Sequence, residues 1–190
     1  MKRIFAVIVL AASLAVSAFA QPKAVGGRFG YSGIEASYEH CVGAPNFFEV
    51  ELGVNVADLA NAQFGFLASA MYNFVFAQPA WTDRGEWAWY AGPGIATGWL
   101  GDKVVYHDDA TNSRGVTWDR GFMLGIAGQV GLSYTFWFPL QLAVDIRPIL
   151  GFHINQGEKV GDTVVGSKFG FYNQGFTYNF CPTLSVRYAF

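Results

Sequence analysis

The sequence predicts an all-β fold: an eight-stranded antiparallel up-and-down transmembrane β-barrel, preceded by a cleaved signal peptide. Three observations lead to this prediction. The N-terminus is an apolar segment that ends in a small-residue cleavage site, and the whole chain is rich in aromatic residues (17%) and poor in charged ones (14%). Eight segments also alternate between apolar and polar residues. Because side chains alternate faces along a strand, each segment has one apolar and one polar face.

The first twenty residues have the pattern of a secretory signal peptide. Lys2 and Arg3 give a positive start, an apolar core follows, and residues 18–20 (Ala-Phe-Ala) form the cleavage site. The apolar core is too short to be counted as a membrane-spanning helix. We therefore predict a signal peptide at residues 1–20 and a single barrel domain at residues 21–190.

The composition of the remaining chain suits a membrane better than water. An average soluble domain carries about 25% charged residues, well above the 14% of this chain. After the signal peptide no apolar run reaches the ~20 residues of a transmembrane helix, and a closed sheet is the other structure that satisfies its backbone within lipid. Removing Lys2 and Arg3 takes the basic count from 12 to 10 against 14 acidic residues. The resulting net charge near −4 argues against nucleic acid as a partner.

The C-terminal segment, residues 176–190, shows the alternation over its whole length. Its even positions are all apolar or aromatic: Phe176, Tyr178, Phe180, Pro182, Leu184, Val186, Tyr188 and Phe190. Its odd positions are small, polar or charged: Thr177, Asn179, Cys181, Thr183, Ser185, Arg187 and Ala189. This pattern predicts one continuous strand between two different solvents.

The preceding segments follow the same rule. Near the N-terminus the apolar positions change from odd (Val25, Phe29) to even (Ile34, Tyr38) around residues 32–33. A slip within one strand would turn all later side chains to the wrong face, so a turn and two strands are predicted here. Apolar residues then occupy even positions in four further segments and odd positions in the segment 86–101. The eight predicted strands are residues 24–31, 34–42, 47–56, 63–77, 86–101, 121–136, 140–154 and 176–190.

Three prolines and the connections refine this scheme. Pro93, Pro148 and Pro182 fall inside predicted strands, where we expect bulges or strand ends because proline cannot donate to the ladder. The connections on the side of Phe190 are short, including a tight turn at residues 137–139. Two connections on the opposite side are long, at residues 102–119 and 156–174. Short turns on one side and longer loops on the other are typical of outer-membrane barrels.

The two faces predict their surroundings. The apolar face is nearly free of charge, as expected if it meets lipid, because an Arg or Lys at the bilayer midplane costs ~2–4 kcal/mol. A soluble barrel around a ligand cavity is the alternative, but its outer face would carry many Lys and Glu. Trp and Tyr near strand ends suit interfacial girdles. The predicted lumen charge network consists of Arg28, Glu35, Glu39, Glu49, Glu51, Glu86, Asp145, Arg147 and Arg187. Mutual ion pairing is the favoured interpretation, since buried charges must be paired; an ion path or proton site is the alternative.

The chain at this point resembles the small outer-membrane β-barrels of Gram-negative bacteria, of the OmpX and OmpA-transmembrane-domain type. The resemblance covers the whole mature chain and includes the segment Phe-Trp-Phe-Pro-Leu at 136–140, which looks like porin-family sequences. The ending with Val186, Tyr188 and Phe190 is similar to the signal read by the barrel-assembly machinery of that group. The resemblance implies a location in the cell outer membrane, with outer-membrane lipids and lipopolysaccharide as partners.

Residues that carry chemistry are few. His153 is expected on the lumen face, and no serine spacing completes a Ser-His-acid triad with it, so no enzymatic activity, cofactor or metal site is predicted. Cys41 and Cys181 are expected to remain separate. The predicted function is a structural or surface-interaction role through the loops 102–119 and 156–174, which face an extracellular ligand. A narrow pore for ions or very small solutes is the alternative, and a lipid-modifying enzyme is the third hypothesis.

Overall fold

The fold is known from a computed structural model. It describes residues 23–43, 45–58, 63–108, 113–155, 158–160, 163–165, 169–177 and 179–190. The predicted signal peptide lies outside the described residues. Twelve strands and one short helix are described: β1 Lys23–Gly30, β2 Gly33–Cys41, β3 Phe47–Asp58, β4 Gln63–Ala77, β5 Glu86–Asp108, β6 Ser113–Thr135, β7 Gln141–Ile146, β8 Ile149–Asn155, β9 Glu158–Val160, β10 Thr163–Val165, β11 Phe169–Phe171, α1 Gln174–Thr177 and β12 Thr183–Ala189.

The main sheet closes on itself. Neighbouring strands from β1 to β6 pair in sequence order and antiparallel, and β12 pairs with both β1 and β7. β7 and β8 both pair with β6, so together they form one interrupted barrel strand. The wall therefore contains eight strand positions, and the prediction of an eight-stranded antiparallel up-and-down barrel is confirmed. β9 and β10 form a separate two-stranded sheet.

The two ends of the barrel differ in their connections. At one end, here called the turn end, β2–β3, β4–β5 and β6–β7 are joined by short segments, and the chain terminates there at Phe190. The other end, here called the hairpin end, carries the hairpin of β5 and β6, whose pairing continues to Asp108 and Ser113. The predicted split between the first two strands is confirmed, with the turn at Tyr31 and Ser32.

Prolines interrupt the ladder, as expected. Pro148 separates β7 from β8, and pairing with β6 stops at Ile146 and resumes at Ile149. Across this gap the Gly128 N–H donates to the Pro148 carbonyl at 3.0 Å. Pro93 stays within β5, but the pairing of β5 with β4 is interrupted between Ala91 and Gly94. Because proline has no N–H, each site costs the ladder one donor.

The prediction of one continuous C-terminal strand at 176–190 is wrong. The strand proper is β12, which begins directly after Pro182, and the helix α1 precedes it. Upstream, β11 continues the line of β12 and pairs with β8, from Phe171 opposite Phe152 to Phe169 opposite Ile154. The residues between β11 and β12 thus form a bulge in the barrel wall, because Pro182 cannot donate a ladder hydrogen bond.

The prediction of a loop at 102–119 is also wrong. β5 and β6 pair continuously through this region, with Asp102 opposite Asp119. Residues 109–112 lie outside the described part of the chain. The predicted loop 156–174 contains β9, β10, β11 and the first residue of α1, with further undescribed residues between these elements.

The predicted orientation of the strand faces is confirmed. Large apolar side chains on the outer surface are exposed on every wall strand, for example Leu52 (52%), Phe66 (51%), Ile126 (65%) and Val144 (52%). The opposite face of the same strands is buried inside the barrel. In the part of the chain that the structure describes, no helix is both long enough and apolar enough to cross a bilayer.

Candidate functional site in the barrel lumen

The lumen contains a cluster of buried charged side chains. Eight of the nine residues of the predicted charge network lie together there, and we call them the lumen ion-pair cluster: Arg28, Glu35, Glu39, Glu49, Glu51, Asp145, Arg147 and Arg187. Each of them is at most 8% exposed. The ninth, Glu86, is the first residue of β5 at the turn end; it is exposed and not part of the cluster.

One half of the cluster is built on two arginines, Arg28 and Arg147. Arg147 donates through Nη2 to both carboxylate oxygens of Glu35, at 2.7 and 2.5 Å, and its Nη1 pairs with Glu51. Arg28 donates to Glu35 at 3.2 Å and pairs with Asp145 through Nη2. Each guanidinium therefore contacts two or more carboxylates, which is the arrangement that buried charges require.

The other half is built on Arg187 of β12. Its guanidinium pairs with Glu49 and lies 3.4 Å from Glu39. Neutral side chains complete these contacts: Arg187 Nε donates to the Ser37 hydroxyl at 2.9 Å, and Gln129 Nε2 donates to Glu49 at 3.1 Å. Ser37 in turn donates to Glu49 at 2.9 Å.

The cluster has five carboxylates but only three guanidinium groups. Neutral donors that the sequence pattern did not single out compensate for this difference. Tyr90, which is fully buried, donates to Asp145 at 3.2 Å, and Ser69 donates to Glu51 at 3.0 Å. Hydrogen bonds to an ionised group are stronger than neutral ones. The charged residues thus belong to a hydrogen-bonded network and not to isolated ion pairs.

The lumen has a second, apolar side that the sequence reasoning missed. The cluster uses β1, β2, β3, β7 and β12, whereas the remaining wall strands carry a buried apolar layer made of Leu67, Met71, Ala96, Leu100, Met123, Ala127, Ile149 and Tyr172. In the sequence, the residues of this layer that lie on strands occupy the polar register, whereas Tyr172 falls in the predicted loop 156–174. The sequence feature that could have revealed this layer is the presence of apolar residues on both faces of β4, β5 and β6. Such residues are compatible with the side-chain-filled interior of an eight-stranded barrel.

The segment before α1 is fixed to the inside of the hairpin end. Tyr172 is 4% exposed and belongs to the apolar layer. The carboxylate of Asp102 accepts hydrogen bonds from the backbone N–H of Asn173 at 2.8 Å and of Gln174 at 3.3 Å. The Gln174 side chain also donates to the Gly101 carbonyl at 3.0 Å. We call these contacts the Asp102 latch, since they join the bulge next to β8 to strand β5.

His153, which the sequence places on the lumen face, is buried in the lumen. Its Nε2 lies 3.0 Å from the Leu100 carbonyl, and its ring lies beside Tyr172 with centroids 6.3 Å apart. Ser133 donates to the Ala88 carbonyl at 3.5 Å. Within the described residues, neither these contacts nor any acidic or thiol grouping forms a metal site, and Cys41 and Cys181 are both free thiols.

The three residues of the predicted assembly signal share the outer face at the turn end. Val186 is 37% exposed, Tyr188 56% and Phe190 62%. The rings of Tyr188 and Phe190 stack with centroids 6.2 Å apart. Their role in assembly remains a prediction.

These features define a class of fold: a closed antiparallel β-barrel with apolar side chains outside and a paired charged cluster inside. One solved structure that resembles the chain is the crystal structure of the N-terminal β-barrel domain of Pseudomonas aeruginosa OprF. The identity is 13%, the match covers 90% of this chain and 96% of that one, and the TM-score is 0.43. No protein-family model matches the chain, and no curated protein sequence matches it.

Proposed function

We propose that this protein is an integral β-barrel of the bacterial outer membrane, with a filled lumen and a structural or surface-interaction role. The observation that supports this proposal is the inversion of polarity across the barrel wall. The outer surface exposes large apolar side chains on every wall strand, and the ion-pair cluster in the interior contains three arginines and five carboxylates. In water such a surface would be a very large apolar patch. In lipid an apolar outer surface is the favourable one, because each charged side chain that faced the hydrocarbon would cost several kcal/mol.

The aromatic residues at the turn end support the same proposal. Trp81 and Trp87 are in contact with ring centroids 5.3 Å apart, and Trp87 lies against Tyr134 at 4.6 Å. The Arg84 guanidinium lies over the ring of Trp137, 5.5 Å from its centroid. Trp, Tyr and cationic side chains collect at membrane–water interfaces. We assign the turn end to the periplasmic interface because its connections are short, as the periplasmic turns of outer-membrane barrels are.

The contents of the lumen favour a closed barrel over a narrow pore. The ion-pair cluster occupies one side of the interior, the apolar layer occupies the other, and Tyr172 is inserted at the hairpin end. His153 takes part in this packing through the Leu100 carbonyl, so we also propose a non-enzymatic role. The surface for an extracellular ligand is then the hairpin of β5 and β6, together with the segment between β8 and α1.

Heat modifiability of the mature chain tests the membrane placement. Residues 21–190, refolded into detergent or lipid vesicles, are expected to migrate differently on a gel before and after boiling, because a closed barrel resists the detergent until it is heated. A urea-denatured sample is the control and should show a single position. Absence of the shift, or a freely dissolved monomer in detergent-free buffer, would overturn the proposal.

Planar-bilayer recording tests the filled lumen separately. The refolded protein is expected to insert without stable unitary conductance, since side chains occupy the interior of an eight-stranded barrel. The protease resistance of the barrel in lipid vesicles, measured separately, verifies that the refolded protein inserts. Stable unitary steps would instead support the narrow pore.

A further inference from the structure

A groove lies on the outer surface of the barrel, at the break between β7 and β8. Gly128 and Pro148 are at its base, with Ala127 beside them, and its volume is about 300 Å³. Its sides are four exposed apolar side chains: Ile126, Leu150, Phe176 and Phe180. None of the described residues that line the groove is charged. We call it the outer groove.

The groove follows from two interruptions of the wall. Pro148 ends the ladder with β6, and Gly128 opposite it has no side chain, so a Cβ placed there would meet no atom within 4 Å. The bulge before β12 supplies the far side, where Phe176 and Phe180 pack with ring centroids 5.4 Å apart. The Asn179 carbonyl accepts a hydrogen bond from the Arg147 N–H at 3.1 Å, which holds this bulge against the interrupted strand.

The position of the groove along the barrel indicates what fills it. Residues 120–126 of β6 place Arg120, Phe122, Leu124 and Ile126 on the same outward face, with Arg120 exposed toward the hairpin end. Six residues of antiparallel strand extend about 20 Å, which a tilt of about 40° reduces to about 15 Å along the barrel axis. This equals one leaflet, half of the ~30 Å hydrocarbon core.

A second cation lies at the level of Arg120. Lys103 of β5 is exposed, and its ammonium lies 5.5 Å from the centroid of the Trp118 ring. In the pairing of β5 with β6, Arg120 is opposite Gly101 and Trp118 is opposite Lys103, so the two cations are on neighbouring strands. Guanidinium and ammonium groups bind phosphate through charge-assisted hydrogen bonds. Two cations, an apolar strip one leaflet deep and a groove at its end together match a phosphorylated lipid with acyl chains.

We propose that the outer groove binds the end of one acyl chain of lipid A, whose phosphate contacts Arg120 and Lys103. This inference rests on the proposed outer-membrane placement, because there the leaflet at the hairpin end consists of lipopolysaccharide. Lipid A is anionic and carries several acyl chains. One molecule can therefore place a phosphate at the two cations and an acyl chain in the groove at the same time.

Native mass spectrometry of the refolded mature chain tests this proposal. The protein in detergent is mixed with hexa-acylated lipid A, with phosphatidylglycerol or with phosphatidylethanolamine, and the lipid that remains bound after detergent removal is counted. The unaltered chain is expected to retain one lipid A. Gly128→Phe, which fills the groove from outside, is expected to lower the retained fraction at least tenfold. Val130→Phe is the matched control on the same face of β6, and it should retain lipid A like the unaltered chain.

The cations are tested in the same way. The double variant Lys103→Gln/Arg120→Gln is expected to lose lipid A several-fold, whereas Arg84→Gln at the turn end should not. Equal retention by Gly128→Phe and the unaltered chain would refute the groove as the site, and equal retention of phosphatidylglycerol would refute lipid A as the occupant. Every variant is first tested for the heat-dependent gel shift. A chain that shows the shift but retains no lipid contradicts this inference alone, and a chain without the shift contradicts the proposed function.

Discussion

At the scale of single residues, the lumen shows how a small barrel accommodates charge. Arg28, Arg147 and Arg187 each lie at the centre of a group of carboxylates, and none of the three is more than 3% exposed. Such pairs are weak evidence for net stability, because desolvation offsets much of the Coulomb attraction. Removal of one member of a pair is strongly destabilising, since the remaining charge stays buried without that partner.

Arg147→Met is therefore expected to destabilise the barrel. The substitution removes the nearer of the two guanidinium groups that contact Glu35 and Glu51. Only Arg28 remains, at 3.2 Å from Glu35 and 3.5 Å from Glu51, and breaking a buried pair costs about 3–5 kcal/mol. Urea unfolding of the protein in lipid vesicles, followed by tryptophan fluorescence, measures the loss. Arg84→Gln removes an exposed arginine whose only described side-chain contact is with the Trp137 ring, and it serves as the control, with an expected loss of at most about 1 kcal/mol. A loss of similar size in the two variants would show that the buried pairs contribute nothing specific.

Arg187 and Glu49 allow a direct measurement of coupling within the network. Arg187→Met and Glu49→Gln each remove one charge of a contacting pair, and the double variant removes both. We expect the double variant to lose less free energy of unfolding than the two single variants together, with an interaction energy of roughly 0.5–3 kcal/mol. The same urea experiment supplies all three values. Additivity within ~0.3 kcal/mol would mean that the two side chains act independently.

At the scale of elements, the bulge before β12 distinguishes this barrel from a regular one. It brings Tyr172 into the lumen, Phe176 and Phe180 onto the outer surface, and the backbone of Asn173 to the carboxylate of Asp102. One irregular segment thus fills the interior and forms the outer groove. The Asp102 latch is the contact that fixes it to β5 on the other side of the hairpin end.

Asp102→Ala tests the latch. The two backbone N–H groups of Asn173 and Gln174 lose their acceptor, and hydrogen bonds to a charged group contribute about 1.5–3 kcal/mol each. Hydrogen exchange at these amides is expected to become more than tenfold faster, while the amides of β2 and β3 keep their protection. Asp83→Ala, in the exposed turn before β5, is the control. Unchanged exchange at residues 173–174 would show that Asp102 does not hold the segment.

The sequence predicted the wall strands far better than the irregular ones, and the reason is physical. Alternation reports which solvent each face meets, so it located the strands and placed eight of the charged residues in the lumen. It did not reveal α1, because Phe176 and Phe180 keep the even apolar register through the bulge, and the acceptor that fixes the bulge, Asp102, is about seventy residues away. The extension of β5 and β6 was missed because the polar and charged residues of 102–114 interrupt the apolar–polar alternation.

Which charged side chains contact each other in the lumen could not be predicted from the sequence either. The register shows that Arg28 and Asp145 face inward, but their contact depends on how β1, β12 and β7 are offset when the barrel closes. Pairing between residues 117 positions apart follows from closure and from no local pattern. Buried neutral donors such as Tyr90 could be identified only once those contacts were known.

At the scale of the whole molecule, the barrel has two different sides as well as two different ends. The strands that begin and end the chain carry the ion-pair cluster, and the central strands carry the apolar layer. Closure between β1 and β12 therefore brings Arg28 and Arg187 together with carboxylates from β2, β3 and β7. Because Arg187 lies on β12, the charged half of the lumen is complete only when β12 has paired with β1. The C-terminal residues are thus important both for the final fold and for the proposed assembly.

Phe190→Ala separates these two contributions. Phe190 is 62% exposed, so its loss should change the free energy of unfolding in vesicles by less than 0.5 kcal/mol, as for other surface substitutions. If it forms part of a signal for the assembly machinery, the amount of folded, heat-modifiable protein in the outer membrane of cells should fall several-fold. Phe76→Ala is a matched control, because Phe76 is 63% exposed near the end of β4. Equal cellular levels of the two variants would argue against the assembly signal, and a large loss of stability in vesicles would assign the effect of Phe190 to folding.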